Sequence, residues 1–132
     1  MNSELVIEAT MENLGMVLGF INPFIENCSV LEQANIGIAV DEIFSNIVRY
    51  AYNPDVGGVK VRITAGDGII IEFEDSGVAY NPLAVEAPDI TLQAAEREPG
   101  GLGIFIVRNI MDSVEYRREG GKNILTIKKA VE

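Results

Sequence analysis

The sequence predicts an α+β fold, a mixed, mostly antiparallel sheet with helices packed on one face. Three observations predict it. Two early segments carry apolar residues at helical spacing, two later segments alternate apolar and polar residues around glycine turns, and a third helical segment separates those hairpins.

The elements follow in order. Leu5 to Ile7 reads as a short opening strand, and Leu14, Val17, Leu18, Ile21, Ile25 and Cys28 then recur at helical spacing as far as "ENCSV", with Pro23 expected to bend or break that helix. A second helix places Ile36, Val40, Ile43, Phe44, Ile47 and Ala51 on one face and stops in "YNPDVGG", where Pro54 and two glycines cannot continue it. In "VKVRITAGDGIIIEFED", Val59, Val61 and Ile63 alternate with Lys60, Arg62 and Thr64 before a Gly-Asp-Gly turn, which predicts a hairpin ending at Asp75. Leu83 to Gly100 is polar, contains Pro88 and Pro99, and reads as a lid, a binding loop or a disordered segment. "GGLGIFIVRNIMDSV" becomes a helix with a broad apolar face of Ile104, Phe105, Val107, Ile110 and Met111. A second hairpin turns at Gly120-Gly121, with Val114 and Tyr116 answered by Leu125 and Ile127.

Composition narrows the function. The chain has 132 residues, of which 48% are hydrophobic, and it is read as a single domain spanning 1–132. A net charge of −10 repels phosphate backbones and anionic lipid, so neither nucleic acid nor membrane is an expected partner. A bound phosphate must then be held by backbone amides, a metal ion or a few side chains. The single cysteine, Cys28, permits no internal disulfide and is expected to be a buried small hydrophobe; it fits a cytoplasmic location. No histidine is present, which excludes His-based triads, His-ligated zinc and a phosphohistidine on this chain. The most apolar stretch, "MVLGFINPFI", is interrupted by Asn22 and Pro23 and reads as neither a leader nor a span.

Three motifs carry candidate chemistry. In "DEIFSNIVRYAYN", Glu42, Asn46, Arg49 and Asn53 fall within a narrow arc opposite the apolar face, at about 100° per residue. The same arc also fits a solvated polar face. "EDSGVAYNP" sets Asp75 and Gly77 at a strand end, where a carboxylate can accept a hydrogen bond from an exocyclic amine while glycine makes room for a flat ring. An Asp-Gly turn with a positive φ at the glycine is the competing reading. "GLG", Gly101 to Gly103, opens a helix, where close backbone approach and free N–H groups suit an anion, although a plain helix start fits equally. Dinucleotide and Walker loops are excluded: "QAAEREPG" is no strand, and "GKN" lacks the required Ser or Thr.

Taken in this order, with a long loop before the last, "VDEIFSNIVRYAY", "DSGVAYNP" and "GGLGIFIVRNIMDSVEYRREGGKNILTIKK" resemble the N, G1 and G2 boxes of the anti-sigma-factor serine/threonine kinases. Those enzymes belong to the GHKL, or Bergerat-fold, ATP-binding superfamily. The resemblance runs from about Ile36 to Lys129 and implies a Bergerat sandwich that uses ATP and Mg²⁺. It implies Glu42 as general base, Asn46 as the Mg²⁺ ligand, Asp75 as acceptor of the adenine amino group with Gly77 beside it, and Gly101, Leu102 and Gly103 wrapping the phosphates under a lid of 83–100. Arg49 and Arg97 are candidate phosphate contacts, with a solvated arginine as the competing reading of each.

One departure stands out: Tyr50 occupies the position where many members carry a histidine. The implied function is phosphorylation of a Ser or Thr on a STAS-domain anti-anti-sigma protein, controlling a sigma factor or similar regulator, and a homodimer is compatible with it. The alternatives are an ATP-binding sequestration module with little kinase activity, or an ATP-binding partner in a histidine phosphorelay whose phosphoacceptor lies on another chain. Glu42 favours the enzyme, because a pure binder needs no base.

Overall fold

The computed structural model describes residues 2–52, 55–84 and 101–131. Strand β1 (Asn2–Glu8) is followed by helices α1 (Leu14–Ile25) and α2 (Val30–Tyr50), then strands β2 (Gly58–Ala65) and β3 (Gly68–Asp75). Helix α3 (Gly101–Ile110) and strands β4 (Ser113–Glu119) and β5 (Lys122–Ala130) complete the described chain. Among the described residues the five strands form one sheet in the order β1-β2-β3-β5-β4 with all four pairings antiparallel, in line with the mostly antiparallel α+β expectation.

Strand alternation decides which face the helices cover. Val59, Val61 and Ile63 of β2, Ile69, Ile71 and Phe73 of β3, and Leu125 and Ile127 of β5 are buried in one core with Val17, Ile21, Ile36, Val40, Ile43, Phe44, Ile104 and Val107 from the helices. Each fully buried aliphatic side chain contributes roughly 1.5–3 kcal/mol. The other sheet face carries ion pairs, among them Arg62 Nε with Glu4 at 2.8 Å and Lys122 with Glu74 at 3.5 Å. The Glu4 bond is the main reason that the Arg62 guanidinium is raised above its ordinary pKa.

Several boundaries differ from the sequence expectation, each for a local reason. Edge pairing with β2 extends β1 over Asn2–Glu8, beyond Leu5 to Ile7. Helix α1 runs through Pro23 without breaking there and stops at Ile25, short of "ENCSV", where Cys28 N donates to Ile25 O at 3.0 Å in a tighter turn. Helix α2 starts at Val30, well before Ile36, because Ser29 and Glu32 form a capping box: Ser29 Oγ accepts the Glu32 amide at 3.0 Å, and Glu32 accepts the Ser29 amide at 2.8 Å. Phe105 departs from the expected apolar face of α3 and is 36% exposed, whereas Ile104, Val107 and Met111 are buried. Cys28 is buried as expected, and burial raises its thiol pKa, with a smaller contribution from Glu32. The second hairpin does turn at Gly120 and Gly121, which take φ of 59° and 77°.

Two hydrogen bonds tie the end of α2 to the turn after β3. Val78 N donates to Ala51 O at 2.9 Å, and Ser76 N donates to Tyr52 Oη at 2.8 Å, while the same phenol donates to Gly58 O at 2.7 Å. Gly77 lies between, so close to the helix that a Cβ built on it would stand 2.2 Å from Ala51 O. Its φ is not positive, so the turn reading of Gly77 is corrected: space against α2, not left-handed backbone, is what the position requires.

This contact generates a paired stability prediction. Gly77→Ala should destabilise the protein by about 1–3 kcal/mol, since backbone must move to admit the methyl group. Gly19→Ala, on α1 with open space around its Cβ, should instead stabilise by roughly 0.5–1 kcal/mol through helix propensity. Urea unfolding of both variants reads the two signs, and equal effects would remove the role assigned to the Ala51 contact.

Candidate functional site

Of the helix stripe, Asn46 is buried and Glu42 half-buried, while Arg49 is exposed. Asn46 is only 7% exposed, and it lines a cavity together with Asp75, which is 6% exposed. Ile43, Ile47 and Ala51 of α2 and its C-cap, Phe73 of β3, Leu125 of β5 and Pro82 supply the apolar walls, while Tyr50, Tyr80, Tyr116 and Asn123 add polar rims. The cavity volume is about 40 Å³, well below the roughly 300–1,000 Å³ of small-molecule pockets, so a ligand larger than a few atoms requires its walls to part. What it shares with such pockets is the mix of apolar walls with a few convergent polar groups.

Asp75 reaches this wall because β3 runs inward at Ile69, Ile71 and Phe73, and Asp75 is the next inward position. Its Oδ1 accepts from Gly77 N at 2.9 Å and from Asn123 Nδ2 at 2.9 Å. Among the described residues both bonds fall on Oδ1, which leaves Oδ2 as an acceptor for a ligand. The first of these bonds is the Asp-turn bond anticipated from the sequence, so the turn and the candidate binding role coexist in one residue.

Asn46 is buried between the helix and the cavity, and its Oδ1 accepts from Arg49 Nη2 at 3.0 Å. Arg49 itself is exposed, with its guanidinium 5.7 Å from the centroid of the Tyr50 ring. Arg49 thus bonds its own helix while its side chain stays exposed. Tyr50 in turn stacks on Tyr80, with centroids 5.2 Å apart and planes 28° apart, and so links α2 to the segment after Asp75.

Glu42 is half-buried one turn before Asn46, on the side of α3. A Cβ built on Gly103 would stand 2.1 Å from Glu42 Oε2, so this glycine is what lets the first turn of α3 approach the carboxylate. The positive end of a helix favours an acidic group there. Gly101 and Leu102 open α3 as backbone; their side chains, with Asn53, Arg97 and the lid beyond Ala84, lie outside the described residues. Pro82–Ala84 forms a 3₁₀ turn at the start of the expected lid.

The structure thus brings Asn46 and Asp75 to one cavity, sets Glu42 against Gly103 beside it, and keeps Arg49 on Asn46. Sequence reasoning missed Asn123, Tyr80 and Tyr116. One signal was available for Asn123. It falls on the inward register of Leu125 and Ile127, a polar residue at a core position, directly opposite Asp75 in the β3–β5 ladder.

The histidine kinase-like ATPase domain matches residues 7–129 of this chain. The serine/threonine-protein kinase BtrW of Bordetella bronchiseptica is 29% identical over 93 residues, covering 68% of this chain and 65% of its own length. The serine-protein kinase RsbW of Bacillus mycoides is 27% identical over 130 residues, covering 93% and 75%. Among solved structures, the RsbU and RsbW domains of a Mycobacterium tuberculosis protein align over 99% of this chain and 32% of theirs, with a TM-score of 0.70 and 16% identity. The histidine kinase AdeS of Acinetobacter baumannii aligns over 98% and 68%, with a TM-score of 0.57 and 17% identity; these two likenesses speak to fold alone. The chain therefore spans about two thirds of BtrW and a third of the mycobacterial chain. With nearly its whole length matched, it belongs to the histidine kinase-like ATPase domain family, and its fold is that of the GHKL ATPases.

Proposed function

We propose that the chain is an ATP-dependent serine/threonine protein kinase that phosphorylates a STAS-type antagonist protein and thereby controls a sigma factor or similar regulator. The observation that carries this reading is the cavity shared by Asn46 and Asp75, with Glu42 one helical turn from Asn46, in a chain of this family whose relatives include serine-protein kinases. Added charge on the antagonist would switch its affinity for its partners.

Each residue has a definable task. Asp75 accepts the amino group of adenine, and the apolar walls with the tyrosine rims enclose the ring. Glu42 takes the proton of the attacking hydroxyl as it bonds to the terminal phosphorus and the bond to the departing diphosphate oxygen breaks. The backbone of Gly101 to Gly103 approaches the phosphates at the start of α3.

The donor set suits Mg²⁺, a hard cation that accepts one amide oxygen and completes its shell with phosphate oxygens and water. Asn46 Oδ1 would hold it with the lone pair that the Arg49 bond leaves open. Among the described residues no cluster of three or more acidic, Cys or His ligands competes for the ion. When bound, Mg²⁺ supplies charge neutralisation along the phosphate chain.

Two experiments test the assignment. Asp75→Ala should lower ATP affinity by roughly 10- to 200-fold, the equivalent of a charge-assisted bond of about 1.5–3 kcal/mol, and the wild-type protein should bind GTP far less well than ATP. Equal ATP and GTP affinities by calorimetry would contradict the role of Asp75.

Glu42→Gln separates kinase from binder. ATP binding should stay within a few-fold of wild type, while single-turnover transfer from γ-labelled ATP to a STAS protein falls by roughly 10²–10⁴. The label should survive acid, as phosphoserine does. Transfer at the wild-type rate in Glu42→Gln would remove the base assignment, and no transfer by the wild type to any STAS protein would favour the sequestration module.

A further inference from the structure

Asn123 opens the inward face of β5, directly opposite Asp75, and is 6% exposed. Its Nδ2 donates to Asp75 Oδ1 at 2.9 Å and to Val78 O at 2.8 Å. Its Oδ1 accepts from Tyr116 Oη at 2.5 Å and from Tyr80 N at 3.3 Å. A primary amide offers two N–H donors and two lone pairs, and here all four are used. Reversing the amide would set its oxygen against a carboxylate and a carbonyl, and its NH₂ against the Tyr80 N–H. The orientation is fixed by its neighbours.

With its own valences filled, Asn123 offers a ligand no hydrogen bond of its own, and its polar influence passes through Asp75. Gly77 N and Asn123 Nδ2 both load Oδ1, so rotating the carboxylate would break two buried bonds. Oδ2 is then held in one direction as a pure acceptor. A purine with a 6-amino group matches it, whereas a 6-oxo group would set lone pair against lone pair.

We propose that Asn123, oriented by Tyr116, is a positioning residue that locks the Asp75 carboxylate and thereby sets the preference of this site for a 6-amino over a 6-oxo purine. The inference rests on the reading of Asp75 as the purine acceptor. It adds the two residues behind the acceptor: Asn123, which bonds Asp75 Oδ1, and Tyr116, which bonds the Asn123 amide.

The test is the ratio of affinities for ATP and inosine triphosphate, which replaces the 6-amino group by a 6-oxo group, measured by calorimetry on the wild type, Asp75→Ala, Asn123→Ala and Tyr116→Phe. The wild type should favour ATP. Asn123→Ala should shrink that preference by about tenfold and Tyr116→Phe by about two- to fivefold, as expected for losing a bond to the acceptor and a bond one step removed. A merely structural role would weaken both nucleotides together and leave the ratio unchanged, which overturns the proposal. Should Asn123→Ala fail to fold, Tyr116→Phe keeps its ring and decides the matter by the same ratio. A wild type without preference overturns the reading of Asp75, and the proposal with it. A preference lost in Asp75→Ala but intact in the other two variants overturns the positioning role alone.

Discussion

Val78 N donates to Ala51 O at 2.9 Å, and this single backbone bond sets how far α2 stands from the end of β3. Helices end with carbonyls that their own ladder cannot satisfy, so Ala51 O needs an outside donor, and the turn after Asp75 provides it. Tyr52 adds a second link by bridging Ser76 N to Gly58 O, which draws the start of β2 into the same junction. Arg118 Nη1, from the last turns of β4, donates to Gly77 O at 2.9 Å and holds the turn from its other side. Asn46 rides on the helix and Asp75 on the strand. Their separation across the cavity follows from this junction rather than from any contact between the two side chains.

The junction also explains how a carboxylate survives at a core position. A buried carboxylate without donors is costly, and an apolar replacement would be the simpler solution for stability alone. Phe73 and Leu125, one inward step away on the same strands, show that the surrounding wall accepts large apolar groups. Asp75 and Asn123 instead form a polar pair at adjacent strand ends, where the apolar core gives way to the cavity. Their bonds to Gly77, Val78, Tyr116 and Tyr80 meet the requirement that a buried polar network be satisfied throughout.

Much of this was legible in the residue pattern. Both hairpins, the glycine turn at Gly120-Gly121 and the burial of Val59, Val61, Ile63, Ile36 and Phe44 follow from periods of two and of 3.6, which depend only on local geometry. The start of α2 was legible too, in Ser29 and Glu32, but a capping pair is easily passed over when the apolar stripe is read first. What the pattern did not yield is long-range. The bonding of Arg49 to Asn46 depends on a rotamer choice, and the fit of Gly77 against Ala51 and of Gly103 against Glu42 depends on which elements pack together. Asn123 and Tyr116 required the register between β3 and β5, known only once the sheet order is known.

The two ends of the cavity differ in how much the protein builds in advance. At the Asp75 end, donors and acceptors are paired and buried before any ligand arrives. At the other end, the nearest described ionisable groups pull in opposite directions: the Glu42 carboxylate lies against the first turn of α3, and the Arg49 guanidinium bonds Asn46 and lies over Tyr50. In a chain with a net charge of −10, a triphosphate would meet long-range repulsion as well. On the proposed reading, affinity for the base would come from groups that the fold fixes, whereas affinity for the phosphates would come from backbone amides and from cations that accompany the ligand. An amide oxygen carries two lone pairs, so Asn46 Oδ1 can keep its Arg49 bond and still offer a lone pair to a hard cation, and two positive charges would then meet at one atom.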